Sequence, residues 1–379
     1  MTAPVVVRPV ASAADLERFI ALPYTLHRGD PQWVPPLRMD IRTMLRKDKN
    51  PFFHHAEAEY FLAERPRGAK SEVVGRIAAI HNRAHNAFHE DTVGFFGFFE
   101  CIDDQTVADA LFEAAGGWLR GKGLTIMRGP ASFSTNDECG LLVDGFDSPP
   151  TLLNPHNPRY YVDLVERAGF TKAKDLIQFQ STNPVMPERL LKAARLVAER
   201  KKITLRKLDI RHFDEEVELI KRVYNAAWER NWGFVPMSDA EIDHLAKQLK
   251  PVVVADLVCF AEREGELIGF AAALPDLNVA LKTNPSGRLF PGLFKILWTA
   301  KFSGRIHRLR ILLLGLLKEY RMTGADALMY HWIWEKGTAR GYNWAEGGWI
   351  LDDNAAMKNG LLRIGFEPYK TLRFYDRPL

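Results

Sequence analysis

Three matched elements recur in the same order along this chain, and a duplication of that kind restricts the fold more tightly than composition does. Residues 61–65 followed by 75–80 read as a two-stranded hairpin, and 260–263 followed by 269–274 read as the same hairpin with a shorter turn. Ala108 opens a helix that ends near Gly121 and Gly123, and Ala325 opens another that ends near Gly341. Gly169-Phe170 precedes Lys174, Leu176 and Phe179; Gly365-Phe366 precedes Lys370, Leu372 and Tyr375 at equal offsets. A chain of 379 residues divides naturally into two domains of about 190. The helix-breaking stretch 183–187 places the seam, so the expected domains are 1–182 and 183–379.

The second copy contains the stretch most telling of chemistry. An apolar run of strand length, 311–317, ends in the turn Lys318-Glu319-Tyr320-Arg321-Met322-Thr323-Gly324, and a helix begins at Ala325. Free N–H groups and the positive end of the helix dipole converge at such a junction, and glycine admits an anion close to the main chain. In the first copy Asp103, Asp104, Gln105, Thr106 and Val107 stand at that place, a poor phosphate cradle. The first copy therefore reads as a degenerate form, and the second as the one that works.

These residues resemble the GNAT acyltransferase superfamily, whose pyrophosphate loop reads Gln/Arg-x-x-Gly-x-Gly/Ala. Arg321 and Gly324 match its first and fourth positions, while Asp326 departs from the sixth. Asn354, Met357, Leu361, Gly365 and Phe366 resemble a second superfamily element, with Leu361 replacing its tyrosine, often the proton donor to the leaving thiolate. The resemblance implies an α/β (α+β) fold: two tandem GNAT-like domains, each a mixed, mostly antiparallel sheet flanked by helices. It also implies acyl-coenzyme A as co-substrate, no permanently bound cofactor, and donor contacts from Leu316, Leu317, Arg321, Met322, Thr323, Gly324, Ala325 and Asn354.

Acyl transfer to an amine needs a proton acceptor, a polarised thioester and a proton for the thiolate. The candidate carboxylates are Glu346, within the strand 343–350, and Asp352 just after it. Asp276 and Asn278 follow the strand ending at Leu274 and are candidates to hold the acceptor. Tyr375 and Tyr320 are candidate hydroxyl donors. Each has a plainer reading as a loop charge or cap, and Asp353-Asn354 is a natural capping pair. The aromatic passage 224–236, with Trp228 and Trp232, reads equally as an acceptor tunnel or as an amphipathic helix packing Val223, Ala227 and Trp228 inward. The polar loop 132–140 reads either as a cover for the acceptor site or as packing between domains.

His81, His85 and His89 fall four apart, but in a connection that reads as surface, so no metal is expected. Cys101, Cys139 and Cys259 lie far apart and read as reduced thiols of a cytosolic chain. Neither a signal-like apolar core at the N-terminus nor a run near the roughly 18 residues of a spanning helix is present in the sequence.

Between Leu274 and Arg310 a hairpin of this superfamily needs only a few residues, yet here 276–308 intervenes. Leu293, Phe294, Leu297, Trp298 and Phe302 follow helical spacing among Lys295, Lys301 and Arg305. From Lys282 to Arg321 nine basic residues face one acidic residue, so the rest of the chain is net negative. The insertion reads as an interfacial helix on anionic lipid, with Phe294 and Trp298 touching substrate, or as a cover for its own domain. No nucleic-acid motif accompanies it.

With the tandem layout, the chain is similar to bacterial acyltransferases that include ceramide synthases. That similarity implies transfer of a long-chain acyl group to a sphingoid-type base at the cytoplasmic membrane face. Alternatives are a soluble acetyltransferase for a small amine, an aminoacyl transferase on cell-wall precursors, and a non-catalytic acyl-binding module.

Overall fold

The computed structural model describes residues 4–68, 70–182, 187–229, 231–321 and 323–379. The elements follow one another as β1 (Val6–Pro9), α1 (Ala13–Ala21), α2 (Pro23–Leu26), α3 (Arg38–Leu45), β2 (Ala56–Arg67), β3 (Lys70–Asn82), α4 (Arg83–His89), β4 (Val93–Cys101), α5 (Gln105–Gly121), β5 (Ile126–Gly129), β6 (Leu141–Asp144), α6 (Tyr160–Arg167) and β7 (Thr171–Ser181). Then come α7 (Glu188–Arg200), β8 (Ile203–Lys207), α8 (Phe213–Trp228), α9 (Asp239–Leu249), β9 (Val258–Arg263), β10 (Glu266–Pro275), α10 (Asn278–Leu281), α11 (Leu289–Lys301), β11 (Arg308–Leu316), α12 (Ala325–Thr338), β12 (Trp344–Leu351), α13 (Ala355–Arg363) and β13 (Glu367–Pro378).

Two compact units result. The first holds Met1–Leu176, Asn278–Phe302 and Lys370–Leu379; the second holds Ile177–Leu277 and Ser303–Tyr369. The division falls within β7 rather than at 183–187, of which 183–186 lie outside the described residues. The insertion and the last ten residues belong to the first unit, a departure that local sequence patterns do not encode.

In the first unit β1–β2–β3–β4 pair antiparallel in sequence order, and β4 pairs parallel with β5. The end of β13 pairs antiparallel with β5 and with β6. Helix α5 begins at the cap Asp104, whose carboxylate accepts from the Thr106 N–H at 2.9 Å. Its apolar residues Val107, Ala108, Leu111, Phe112, Ala115 and Leu119 recur at helical spacing and are fully buried. Phe112 stacks on Phe99 at 4.8 Å and meets Phe96 edge-on at 5.3 Å. Burying each such ring contributes about 1.5–3 kcal/mol.

The histidine segment runs from the end of β3 through α4, and one of its three histidines, His85, is not at the surface as expected. Asn82 caps α4, and its side chain accepts from the His85 N–H at 3.1 Å. His85 is buried against His89 and Phe95, with Nε2 3.2 Å from Asp91. Burial lowers its pKa to about 4. The three cysteines are buried.

The second unit repeats the strand order: β8–β9–β10–β11 antiparallel, then β11 parallel to β12. One sheet face carries α12 through Ala325, Met329 and Ile333, packed with Leu309, Ile311 and Phe366. The other carries α8 through Phe213, Val217, Tyr224 and Ala227, packed with Phe260 and Phe270. Helix α9 closes this layer and starts with a capping box between Ser238 and Glu241.

Candidate active site

The site of the second unit begins where two parallel strands stop pairing. β11 and β12 pair from Arg308 opposite Trp344 to Ile311 opposite Gly347. Both strands continue beyond that point, to Leu316 and Leu351. In the wedge lies a cavity of about 100 Å³ lined by residues 311–314 of β11, 347–351 of β12, and Trp228, Asn231, Tyr330, Asn354 and Met357. Main-chain donors and acceptors of separated strands require partners, so such an edge suits an extended ligand carrying amides.

The glycine turn sits beyond β11. Gly324 has φ +78° and caps α12, and a Cβ there would approach Ala194 of α7 to 2.9 Å. The residue is therefore fixed by backbone hand and by helix packing together. Thr323 is buried; its hydroxyl donates to the Tyr320 carbonyl at 2.6 Å and accepts from the Ala325 N–H at 3.4 Å. Arg321, expected to meet phosphate, donates from Nη2 to the Ala227 carbonyl at 2.8 Å and from Nε to the Leu316 carbonyl at 3.4 Å. It thus ties the turn to the ends of α8 and β11. The Leu317 N–H is taken by the Ile268 carbonyl at 2.9 Å, and Met322 lies outside the described residues. Asn354 accepts from the Met357 N–H at 3.1 Å as the cap of α13, and it lines the cavity.

Glu346 occupies the pairing position just before the strands part. It is fully buried, with Oε1 3.6 Å from Arg310 Nε, and Oε2 accepts a hydrogen bond from the Tyr369 hydroxyl. Burial first, and then the Glu346 carboxylate, push the Tyr369 pKa far above its ordinary value, which holds the phenol protonated. Arg308 Nε stands 3.5 Å from Asp276, and its guanidinium lies over the Trp344 ring at 3.9 Å. Trp344 in turn meets Tyr369 edge-on at 5.9 Å. The carboxylates Glu346 and Asp276 are therefore each bound to an arginine in one polar layer of the second unit.

Other expected site residues fall elsewhere. Tyr375 belongs to the first unit, where its hydroxyl donates to Glu166 at 2.9 Å. Asn278 also lies in the first unit, and its amide donates to the Pro150 carbonyl at 2.9 Å. Asp352 is a half-buried turn residue whose carbonyl accepts from Lys358. Tyr320 accepts from Arg263 at 3.4 Å. Trp228 lines the cavity with Asn231, whereas Trp232 is half-buried outside that lining. Val223, Tyr224 and Ala227 are core, which fits the reading of this passage as an amphipathic helix packed inward.

Two tyrosines were not foreseen. Tyr330 of α12 lines the cavity, donates to Met357 Sδ at 3.7 Å, and is kept protonated by burial. Leu361, at the position where the resemblance puts a tyrosine, is buried in the core of the second unit. Tyr369 follows the Gly365-Phe366 ending by a few residues. A tyrosine beside a buried carboxylate of another strand has no local sequence signal.

The corresponding place in the first unit is filled. β4 and β5 pair only to Phe95 opposite Arg128. Beyond that, the Ala131 N–H donates to the Phe96 carbonyl at 2.9 Å, and Gly97 packs so closely that a Cβ would meet the Ala131 oxygen at 1.9 Å. Phe133 is buried in the same loop among Phe52, Phe53 and Phe98. Among the described residues, no three His, Cys, Asp or Glu side chains converge as a metal site.

Among solved structures, the chain is similar to a tandem GNAT protein from the clavulanic acid biosynthesis pathway, with TM-score 0.57 and 13% identity, covering 99% of this chain and 98% of that one. It is also similar to a GCN5-related N-acetyltransferase from Sphaerobacter thermophilus, with TM-score 0.54 and 12% identity over 100% and 97% of the two chains. No protein-family model matches. The duplicated sheet and the parted strands define a protein of the tandem GNAT-fold class. The bacterial ceramide synthase of Caulobacter vibrioides is 38% identical over 381 residues, covering 98% of this chain and 97% of that protein. Protein YghO of Escherichia coli is 35% identical over 380 residues, covering 98% and 95%. The chain belongs to the family of these two proteins.

Proposed function

We propose that the second unit transfers a long-chain acyl group from acyl-coenzyme A to the amine of a sphingoid-type base, giving a ceramide. The observation that carries this reading is the wedge between β11 and β12, open in the second unit and filled in the first. The thioester arm lies along the free strand edges, and the pyrophosphate sits at the α12 N-terminus near Thr323, Gly324 and Ala325. The amine nitrogen attacks the thioester carbonyl, forming a C–N bond as the C–S bond breaks. The proton lost from nitrogen goes to Glu346, directly or through Tyr369, and the Tyr330 hydroxyl donates a hydrogen bond to the departing thiolate, which takes its proton from solvent. The choice of acceptor is supported by the Caulobacter relative, named a ceramide synthase and similar along nearly its whole length.

The test is incubation of purified protein with palmitoyl-coenzyme A and sphinganine, read by mass spectrometry of the amide and by thiol release. An N-acyl product with the long base, and none with acetyl-coenzyme A and a small polyamine, is expected. The reverse preference overturns the ceramide reading in favour of a small-amine acetyltransferase.

A further inference from the structure

Helix α11 presents an apolar face that none of the described residues covers. Phe294, Leu297, Trp298 and Phe302 are 70%, 42%, 65% and 70% exposed, and Phe290, just before the regular turns, is 63% exposed. Residues 294, 297, 298 and 302 fall on one side at helical spacing. The opposite side holds the helix down: Gly292 and Thr299 are buried, and a Cβ at Gly292 would meet the Asn284 amide at 2.3 Å. Among the described residues, four of the five exposed large aromatic side chains lie in this one segment. A contiguous patch of that kind marks an interaction site.

Charge selects the partner. No Asp or Glu occurs anywhere from Leu277 to Lys318, while Lys295 and Lys301 are exposed on α11 and Arg288 immediately precedes it. Exposed rings beside cations, with no acid nearby, complement an anionic lipid surface rather than a mixed-charge protein face. The helix has 13 residues, about 20 Å at 1.5 Å per residue, too short to cross a bilayer. With its inner face fixed on the protein, it lies along the membrane plane.

The mounting is equally specific. The Gly287 carbonyl accepts from the Arg38 N–H at 2.9 Å, and the Ser286 carbonyl from Arg38 Nε at 3.0 Å. Gly287 has φ +61° and packs against Tyr24 so closely that a Cβ would stand 2.4 Å from its ring. Asn278 reaches Pro150 at the other end of the segment. All these partners belong to the first unit.

We infer that the first unit, whose own wedge is filled, serves as a membrane-docking platform that mounts α11 against an anionic bilayer through Phe294, Leu297, Trp298 and Phe302. This assignment goes beyond the proposed reaction and does not depend on which amine is acylated.

Flotation of the full chain with phosphatidylglycerol–phosphatidylcholine vesicles, against phosphatidylcholine alone, tests it without any acyl transfer. Binding to the anionic vesicles, weakened at least tenfold by raising salt from 0.05 to about 0.5 M, is expected. Phe294→Ser with Trp298→Ser should lower the partition coefficient tenfold or more, and Lys295→Glu with Lys301→Glu should do so for anionic vesicles. Both pairs are exposed, so unchanged circular dichroism is the accompanying control. Unchanged partitioning of the Phe294/Trp298 pair overturns the proposal. So does a dimer that the same pair abolishes, in a protein that ignores vesicles; that result assigns the patch to a second copy of the chain.

Discussion

At the scale of residues, the proposed site turns on a carboxylate that water does not reach. Glu346 is held by Arg310 and Tyr369, so a change at either oxygen leaves a buried group without its partner. Glu346→Gln should lower kcat about 10²-fold or more with KM for the acyl donor nearly unchanged, because proton acceptance matters in the transition state. Tyr369→Phe should lower kcat less, as expected of a group that positions the carboxylate. Equal loss of donor affinity in both variants would instead make the pair a structural tie. His85 supplies a second residue-scale test. Its pKa falls from 6.5 to about 4 on folding, so the unfolded chain binds more protons between those values. Its contribution is complete above about pH 6.5 and is lost as pH falls toward 4. Urea denaturation should show wild type losing about 3 kcal/mol more than His85→Gln over that window; parallel curves would refute it. The sequence shows Glu346 as a carboxylate on a buried strand, since strand patterning is local. It hides Tyr369, Tyr330 and the burial of His85, because each depends on which distant segment packs alongside.

At the scale of elements, the strand–turn–helix around Gly324 is the piece most readable in advance. An apolar run, a turn with glycine and a periodic helix are each short-range signals, and β11 and α12 lie where those signals put them. The role of Arg321 is less readable: the guanidinium is spent at least partly on main-chain carbonyls of β11 and α8. Gly324→Ala should destabilise the protein by about 1–2 kcal/mol, since a left-handed φ and contact with Ala194 both oppose a methyl group. It should also weaken coenzyme A, because the α12 N-terminus moves with it. Chemical denaturation and calorimetry check the two effects separately; a variant as stable as wild type would mean that α7 yields freely.

At the scale of the whole molecule, duplication without equivalence is the main fact. The two units share strand order, but among the described residues the wedge of the second lines a cavity, while Ala131 bonds to Phe96 at the corresponding place in the first. Calorimetry should therefore find one coenzyme A site per chain. Phe133→Ala should cost about 3–5 kcal/mol by emptying a packed aromatic cluster. It should not create a second site, because Ala131 remains bonded across the gap; two sites would overturn the assignment. The repeat is legible in sequence because its hairpins and helix starts are local. The membership of 278–302 and 370–379 in the first unit is not, since long-range return leaves no trace in neighbouring residues.

That return has a consequence for synthesis. Tyr375 and Phe374 are buried almost completely, and β13 supplies the strand that β5 and β6 pair with. At about 5–20 residues per second, the first unit waits many seconds after its own 176 residues emerge before its last strand exists. The N-terminal half on the ribosome therefore exposes the unpaired edge of β5, a natural docking point for chaperones and a hazard when the message is cut short. A nascent chain halted a few residues before its end should be far more sensitive to protease than one released in full.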